Sequence, residues 1–330
     1  MKIKCAVVGL GMGGVHARNL LKIPDAELTA VADLDDKRGE PFRENGARVY
    51  RDWRTLLDAE KDLDAVILAT PALIRREPIE AFSQRGIALF CEKPPAMSSA
   101  EAAEISAIIE KCGVLSSVGF MYRWSPLADR IRELIAKRPL LFARIVVAWP
   151  VFRWVMDGGA PKLLYSKAKC GGPLIEQAIH FQDVLRYLTG DEPVAAQAFA
   201  DLGQIAPTDE GRDCEETTAY LLRHASGMVS SHLHNWSHQG TMLQLQIVAE
   251  KLDLTWQLEG ERRLFGTVDG TAINETSDAD LMLNEMAGFV RAVQQADPSL
   301  IRSSYADAAR SLRVVEATAQ AVESGQPTII

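Results

Sequence analysis

The chain has 330 residues, 47% hydrophobic and 24% charged, with a formal net charge of −8. These values describe a soluble globular protein long enough for two domains, and the acidic balance argues against a nucleic-acid binder. Five scattered cysteines without a CxxC pair suit reduced thiols in a cytoplasm better than a disulfide framework or a structural zinc site. "MKIKCAVVGLGMGG" is too glycine-rich for a signal peptide, and no run approaches the ~18 apolar residues of a membrane helix.

The first half alternates strand and helix. An apolar run over 2–9 predicts a buried strand, followed by a glycine turn and a helix. Further strands are expected at 28–34, 64–70, 86–94 and 114–120, with a short helix around Trp53–Leu57. "SSAEAAEISAIIEKCG" carries a Ser N-cap, early glutamates, a late Lys111 and a closing Gly113, the start and stop signals of a helix. This alternation predicts an α/β domain with a mostly parallel, doubly wound sheet over residues 1–122.

Within that frame Gly9-Leu10-Gly11-Met12-Gly13-Gly14 forms a G-x-G-x-x-G between the first strand and its helix, and Asp33 ends the second strand. The context is that of a dinucleotide-binding turn. Gly9 permits the tight turn, Gly11 lets the backbone approach a pyrophosphate, and Gly14 lets helix and strand pack closely. The helix N-terminus attracts the phosphates, and Asp33 accepts hydrogen bonds from ribose hydroxyls. Asp33 favours NAD, although Lys37 and Arg38 are placed to hold the 2′-phosphate of NADP.

Residues 123–330 read differently. An amphipathic helix at 127–138 precedes long β-like runs at 140–149, 194–202, 217–237 and 243–258, and helices at about 279–296 and 305–323 end the chain. The "ASG" within 217–237 fits a hairpin turn. The pattern predicts an α+β domain with a large, mostly antiparallel open sheet. Helices cover one face of it, and a second subunit covers the other, giving a homodimer or homotetramer.

"GGPLIEQAIHFQDVLRYLTG" (171–190) reads as an apolar helix interrupted by Glu176, His180 and Asp183. At roughly 100° per residue these three fall within about 60° of arc, joined by Tyr187. A solvated face and a functional site both fit that stripe. His224, His232, His234 and His238 crowd one region, and an H-x-H on a strand can bind zinc, which makes a metal-dependent hydrolase a rival reading. A polar sheet face, near the pocket or in a subunit interface, accounts for them equally, and no metal site is assigned. Trp149, Arg153, Trp154, Tyr165 and Lys167 supply rings for sugar C–H faces and cations for hydroxyls or a carboxylate, or else belong to core and surface.

"VVGLGMGGVHA" (7–17), "VILATPA" (66–72), "CEKPPA" (91–96), "VGFMYRWSP" (118–126) and "GGPLIEQAIHFQDVLRYL" (171–188), in this order and spacing, resemble the Gfo/Idh/MocA family of dehydrogenases. The resemblance implies a dinucleotide-binding domain, a substrate domain and hydride exchange with a secondary hydroxyl or ketone of a sugar, sugar derivative or cyclitol. It also implies that Lys93 of E-K-P contacts the reacting hydroxyl, that His180 is the acid/base, and that Glu176 supports it where most members carry Asp. Met12, Gly13, Thr70, Pro71 and Glu92 join Gly9, Gly11, Gly14, Asp33 and Lys93 around the cofactor. Asp183 contacts a sugar or makes a structural hydrogen bond, and Arg153, Trp154 and Tyr165 are further substrate candidates. Arg75 stands where many members have His. An NAD-retaining glycosidase and a non-catalytic NAD-binding sugar sensor are the alternatives, and Lys93 with His180 argues against the sensor.

Overall fold

The N-terminal run becomes β1 (Ile3–Val8), followed by α1 (Gly13–Leu20), β2 (Ala26–Ala32), α2 (Asp36–Arg43), β3 (Arg48–Tyr50) and α3 (Trp53–Ala59). Then come β4 (Ala65–Leu68), α4 (Arg76–Gln84), β5 (Ala88–Cys91), α5 (Ser99–Cys112) and β6 (Ser116–Val118). The structure is a computed structural model that describes residues 1–206 and 211–330. The six strands pair in parallel in the order β3-β2-β1-β4-β5-β6. β4 and β5 are buried along their whole length, as strands covered on both faces must be, which is why they read as continuous apolar runs. Strand order reverses between β1 and β4, and such a switch point opens a crevice at the carboxyl ends of the strands.

The expected strands at 64–70 and 86–94 are shorter in the structure. Their last residues, Thr70 and Glu92-Lys93-Pro94, leave the sheet at its carboxyl edge. α5 is capped as its sequence requires: Ser98 Oγ accepts from the Glu101 N–H at 3.2 Å, and Gly113 closes the helix in the left-handed region.

The second half supplies α6 (Pro126–Ile135), β7 (Leu140–Ala148), α7 (Val151–Met156), α8 (Lys167–Cys170) and α9 (Ile179–Thr189). β8 (Pro193–Asp201), β9 (Thr217–His224), β10 (Val229–Asn235), β11 (Met242–Ala249), β12 (Leu252–Gln257), β13 (Arg263–Val268) and β14 (Thr271–Thr276) follow. α10 (Leu281–Gln295), α11 (Tyr305–Ser324) and β15 (Thr328–Ile329) end the chain. Nine strands form one sheet in the order β14-β13-β12-β11-β7-β10-β9-β8-β15, antiparallel except for the parallel β7–β10 pair. Burial alternates along β9 and β11, so one face of the sheet is covered. On the other face, Phe199 and Leu233 are both paired with Ala219, and Leu221 lies opposite Ser231; all three large side chains are exposed.

The expected run at 243–258 is a hairpin of β11 and β12. Its turn uses Lys251 at φ 55, a residue that gives no turn signal. The β13–β14 hairpin turns on Asp269-Gly270, both with positive φ.

By its contacts the chain forms two units: Met1–Trp124 with Asp280–Arg310, and Ser125–Ala279 with Ser311–Ile330. Residues 280–310, expected with the C-terminal domain, belong to the first unit. The reason is packing: Met286, Phe289 and Val290 of α10 bury their side chains in one core with Val7, Leu20 and Phe90. Among the described residues, no helix is long and apolar enough to cross a membrane.

Candidate active-site groups in each unit

The glycine loop leaves β1 at Gly9, whose φ of 85° suits glycine, and whose N–H donates to Ala32 O at 2.8 Å. A Cβ here would lie 3.0 Å from the backbone of Ala69 and Thr70. At Gly11 a Cβ would meet only Arg38 Nη1, at 3.8 Å, so this glycine faces open space that a pyrophosphate can enter. The close helix–strand packing expected of Gly14 falls instead on Gly13. A Cβ on Gly13 would sit 2.9 Å from Val7 Cγ1 and 3.0 Å from Ala69 Cβ, whereas one on Gly14 would meet only Arg18 Nη1, at 3.6 Å. No side chain caps α1, its first turn holds no acidic residue, and Met12 at its N-cap is exposed. An uncapped, unopposed helix start of this kind suits an anion.

Asp33 lies one residue beyond β2. Its Oδ2 accepts the Leu10 N–H at 2.6 Å and its Oδ1 accepts the Asp35 N–H at 2.9 Å, fixing the carboxylate against the glycine loop. Of the two expected cations, Arg38 stands closer: its Nη1 is 3.7 Å from Asp33 Oδ2, while Lys37 caps into Asp35 through its backbone N–H. The loop, the bare helix start and the carboxylate together fit a dinucleotide.

Lys93 is partly buried just beyond β5, and the Lys93–Pro94 peptide is cis. Its backbone N–H donates to Glu92 Oε2 at 3.1 Å. Glu92 Oε1 pairs with Nε2 of the fully buried His16 at 2.5 Å. Burial pushes the Glu92 carboxyl up, but the His16 hydrogen bond and the charges of His16, Lys93 and Arg75 outweigh it and hold the group at about 2. Arg75 is buried behind Thr70, Glu92 and Pro94, donating to the carbonyl of each. Thr70 and Pro71 follow β4 on the same sheet edge.

In the second unit the helix of the 171–190 segment does not begin as a plain α-helix. Leu174–Ala178 is a π turn, closed by a bond from the Ile179 N–H to Leu174 O, and α9 continues from Ile179. Just before it Gly171, at φ 80, closes α8 in the left-handed region, and a Cβ there would collide with Ile175. The wider turn shifts Glu176 relative to the spacing expected of a uniform α-helix. Glu176 and His180 are each partly exposed, so neither is locked in the core. Asp183 is fully buried and accepts from Ser311 Oγ at 2.8 Å, and Ser311 Oγ also takes Arg186 Nη1 at 2.6 Å. Tyr187 leaves the stripe functionally. Its hydroxyl receives Arg132 Nη1 at 3.1 Å, and both residues line an open cleft of about 590 Å³ at the far end of α9.

Two neighbours of these residues on the helix, Gln177 and Gln182, bond the histidines. Gln177 Oε1 bonds His234 Nε2 at 2.9 Å and Trp236 Nε1 at 2.5 Å. Gln182 Nε2 bonds Tyr220 Oη at 2.6 Å and His232 Nδ1 at 3.1 Å, while His232 Nε2 shares Ser230 Oγ with His224 Nε2. The rings of Tyr220 and His232 stack with centroids 4.6 Å apart. Burial pushes both His232 and His234 down to about 3. The H-x-H is thus the polar underside of the 171–190 helix segment: both ring nitrogens of His232 are already committed, and His238 is exposed and bonded within its own turn. Among the described residues, no cluster of three or more His, Cys, Asp or Glu could hold a metal ion.

Of the aromatic and cationic set, Tyr165 is buried, edge-on to Phe152 at 5.5 Å in a core that includes Trp236, Cys170 and Cys214. Lys167 is ion-paired with Glu215. Arg153 and Trp154 remain exposed on α7, with Trp149 and Trp154 ring centroids 5.7 Å apart. The sequence carries no signal for the partners of the two amides and of His16, or for the buried approach of Cys170 and Cys214, whose Sγ atoms are 4.0 Å apart. No spacing rule signals partners this far apart in sequence.

Residues 3–120 match the family model described as an oxidoreductase family with an NAD-binding Rossmann fold, and residues 139–255 match the GFO/IDH/MocA C-terminal domain. The chain therefore belongs to the GFO/IDH/MocA oxidoreductase family. It is 32% identical over 226 residues to scyllo-inositol 2-dehydrogenase (NAD(+)) of Bacillus subtilis (strain 168), covering 67% of this chain and 64% of that protein. It is 31% identical over 231 residues to inositol 2-dehydrogenase of Rhizobium meliloti (strain 1021), covering 69% of this chain and 67% of that protein. The crystal structure of scyllo-inositol dehydrogenase from Lactobacillus casei with bound NAD(H) and scyllo-inositol matches 100% of this chain and 99% of that one. The TM-score is 0.85 at 21% identity, a likeness of fold.

Proposed function

We propose that the protein is an NAD-dependent dehydrogenase acting on a secondary hydroxyl of a cyclitol, sugar or sugar derivative. The observation that carries this reading is the placement of Lys93 at the carboxyl end of β5. The glycine loop after β1 and Thr70-Pro71 after β4 lie on that same sheet edge, where a doubly wound sheet binds its dinucleotide. The names of the relatives supply the substrate class. A bound oxidised nicotinamide would supply the acceptor for the hydride of the substrate carbon.

The chain supplies the rest. The N-terminus of α1 and the Gly9–Gly14 loop hold the pyrophosphate, and Asp33 accepts from the adenosine ribose, which favours NAD; Arg38 beside it leaves NADP as the second cofactor. The Lys93 ammonium stabilises negative charge developing on the substrate oxygen. The His180 imidazole takes the hydroxyl proton, a task suited to a group that titrates near neutrality. Glu176, one turn earlier, orients the imidazole and stabilises its cation. Arg153 and Trp154 are the exposed members of the substrate set, and the buried Asp183 and Tyr165 support the fold around it.

We also infer a homodimer or homotetramer joined through the outward face of β8, β9 and β10, supported by exposed Phe199, Leu221 and Leu233. A cytoplasmic location is supported by five free cysteines. The test is absorbance of reduced nicotinamide while polyols, sugars and sugar acids are screened with NAD and NADP. Net reduction supports the dehydrogenase. Glycoside cleavage without net cofactor change supports the NAD-retaining glycosidase, and tight NAD binding with neither activity supports a sugar sensor.

A further inference from the structure

Arg75 buries a guanidinium that, among the described residues, hydrogen-bonds to no carboxylate. It is 2% exposed and sits at the turn leading into α4. Nε donates to Thr70 O at 3.0 Å, and Nη2 donates to the same carbonyl. Nη1 donates to Glu92 O and, at 2.7 Å, to Pro94 O. All of these bonds end on main-chain oxygens of two segments, the one that leaves β4 and the one that leaves β5 with Lys93. The carbonyls before and after Lys93 are therefore both gripped by one side chain. From the other direction Glu92 Oε2 takes the Lys93 N–H, and His16 fixes that carboxylate.

Burying a charge is costly, so a cation kept here must make bonds that a neutral residue would not. The planar five-donor fork of arginine can reach three separate carbonyls from one rigid plane. A lysine presents a point charge on a flexible stem, and a histidine has two ring nitrogens at most. We propose that Arg75 is a positioning residue that locks the Lys93 main chain to the segment after β4, and so sets where the Lys93 ammonium points. The inference rests on the reading of Lys93 as the group that meets the substrate oxygen.

The experiment compares the parent with Arg75→Lys, which keeps the charge and loses the fork. Arg75→Ala is measured with and without added guanidinium. Three quantities are read: trinitrobenzenesulfonate labelling of each lysine by peptide mass spectrometry, NAD affinity by tryptophan fluorescence, and kcat with NAD and the best polyol of the screen. Labelling of Lys93 should change several-fold in Arg75→Lys while Lys2 and Lys111 keep their parent rates. NAD affinity should hold, and kcat should fall on the order of 10²-fold, the effect of misplacing a reacting group by about 1 Å. Guanidinium should restore part of kcat to Arg75→Ala, and if that variant does not fold, Arg75→Lys decides alone. In a Lys93→Met background, Arg75→Lys should cost nothing further. Lys93 labelling equal to the parent's overturns the proposal. If no polyol is oxidised by the parent, the functional reading fails and the labelling still decides the role of Arg75.

Discussion

The two histidines beneath the helix should make the protein acid-sensitive well above the range of its carboxylates. His232 and His234 are held neutral by burial, with His224 and His234 adding to the effect on His232, and both sit at about 3. In the unfolded chain a histidine titrates near ~6.5. Because the folded value is the lower one, the unfolded state binds these protons first. Their contribution is complete above about pH 6.5 and drains away as the pH falls towards about 3. Each proton differentially bound costs about 1.4 kcal/mol per pH unit. Between about pH 6.5 and 5 that is about 2 kcal/mol per histidine and about 4 for the pair, a large part of an ordinary folding free energy of roughly 5–15 kcal/mol. Labelled-histidine NMR from pH 7.5 to 5 should show both rings neutral throughout. Urea midpoints over the same range should fall more steeply for the parent than for a His232→Gln/His234→Gln double variant. Ring signals of both residues titrating near the free-histidine value, or parallel loss of stability in the two proteins, would refute the burial argument.

Gly13→Ala should destabilise the first unit by about 1–3 kcal/mol through overpacking against Val7 and Ala69, with Gly14→Ala milder, as read by thermal melts. NAD should bind more tightly than NADP in fluorescence titrations. Asp33→Ser should narrow that gap, and tighter NADP binding by the parent would shift the cofactor reading to Arg38. Phe199→Asp with Leu233→Asp should convert the assembly to monomers in sedimentation at micromolar concentration; a monomeric parent would remove the proposed interface.

Five of the six parallel strands were legible as apolar runs, whereas β3, three residues long and not buried, gave no such signal; the glycine loop was legible because its chemistry is local. What escaped was set by contacts distant in sequence. Nothing in 281–295 announces that its apolar face packs with Val7 and Phe90, so residues 280–310 looked like the tail of the second domain. The α-helical spacing of Glu176, His180 and Asp183 was readable, but the π turn was not, and neither was the amide pair Gln177 and Gln182 that ties the helix to His234 and His232. Asp269-Gly270 was a readable hairpin signal left unused; Lys251 in a left-handed turn gave none. Arg75 stood out in the sequence only as a departure from its relatives, and its grip on three carbonyls is a property of the folded loops.

The most direct test of the account is the rate of reduced-nicotinamide formation by the parent, His180→Ala, Lys93→Met and Glu176→Gln, measured with the best polyol of the screen across pH 5 to 10. General acid–base catalysis contributes about 10²–10⁴-fold, so His180→Ala should lose turnover in that range while NAD affinity stays at the parent value. Lys93→Met should also lose turnover without unfolding, and Glu176→Gln should lose less than either. Turnover of His180→Ala at the parent rate would contradict the assignment and leave Glu176 and His180 as a solvated face of the helix.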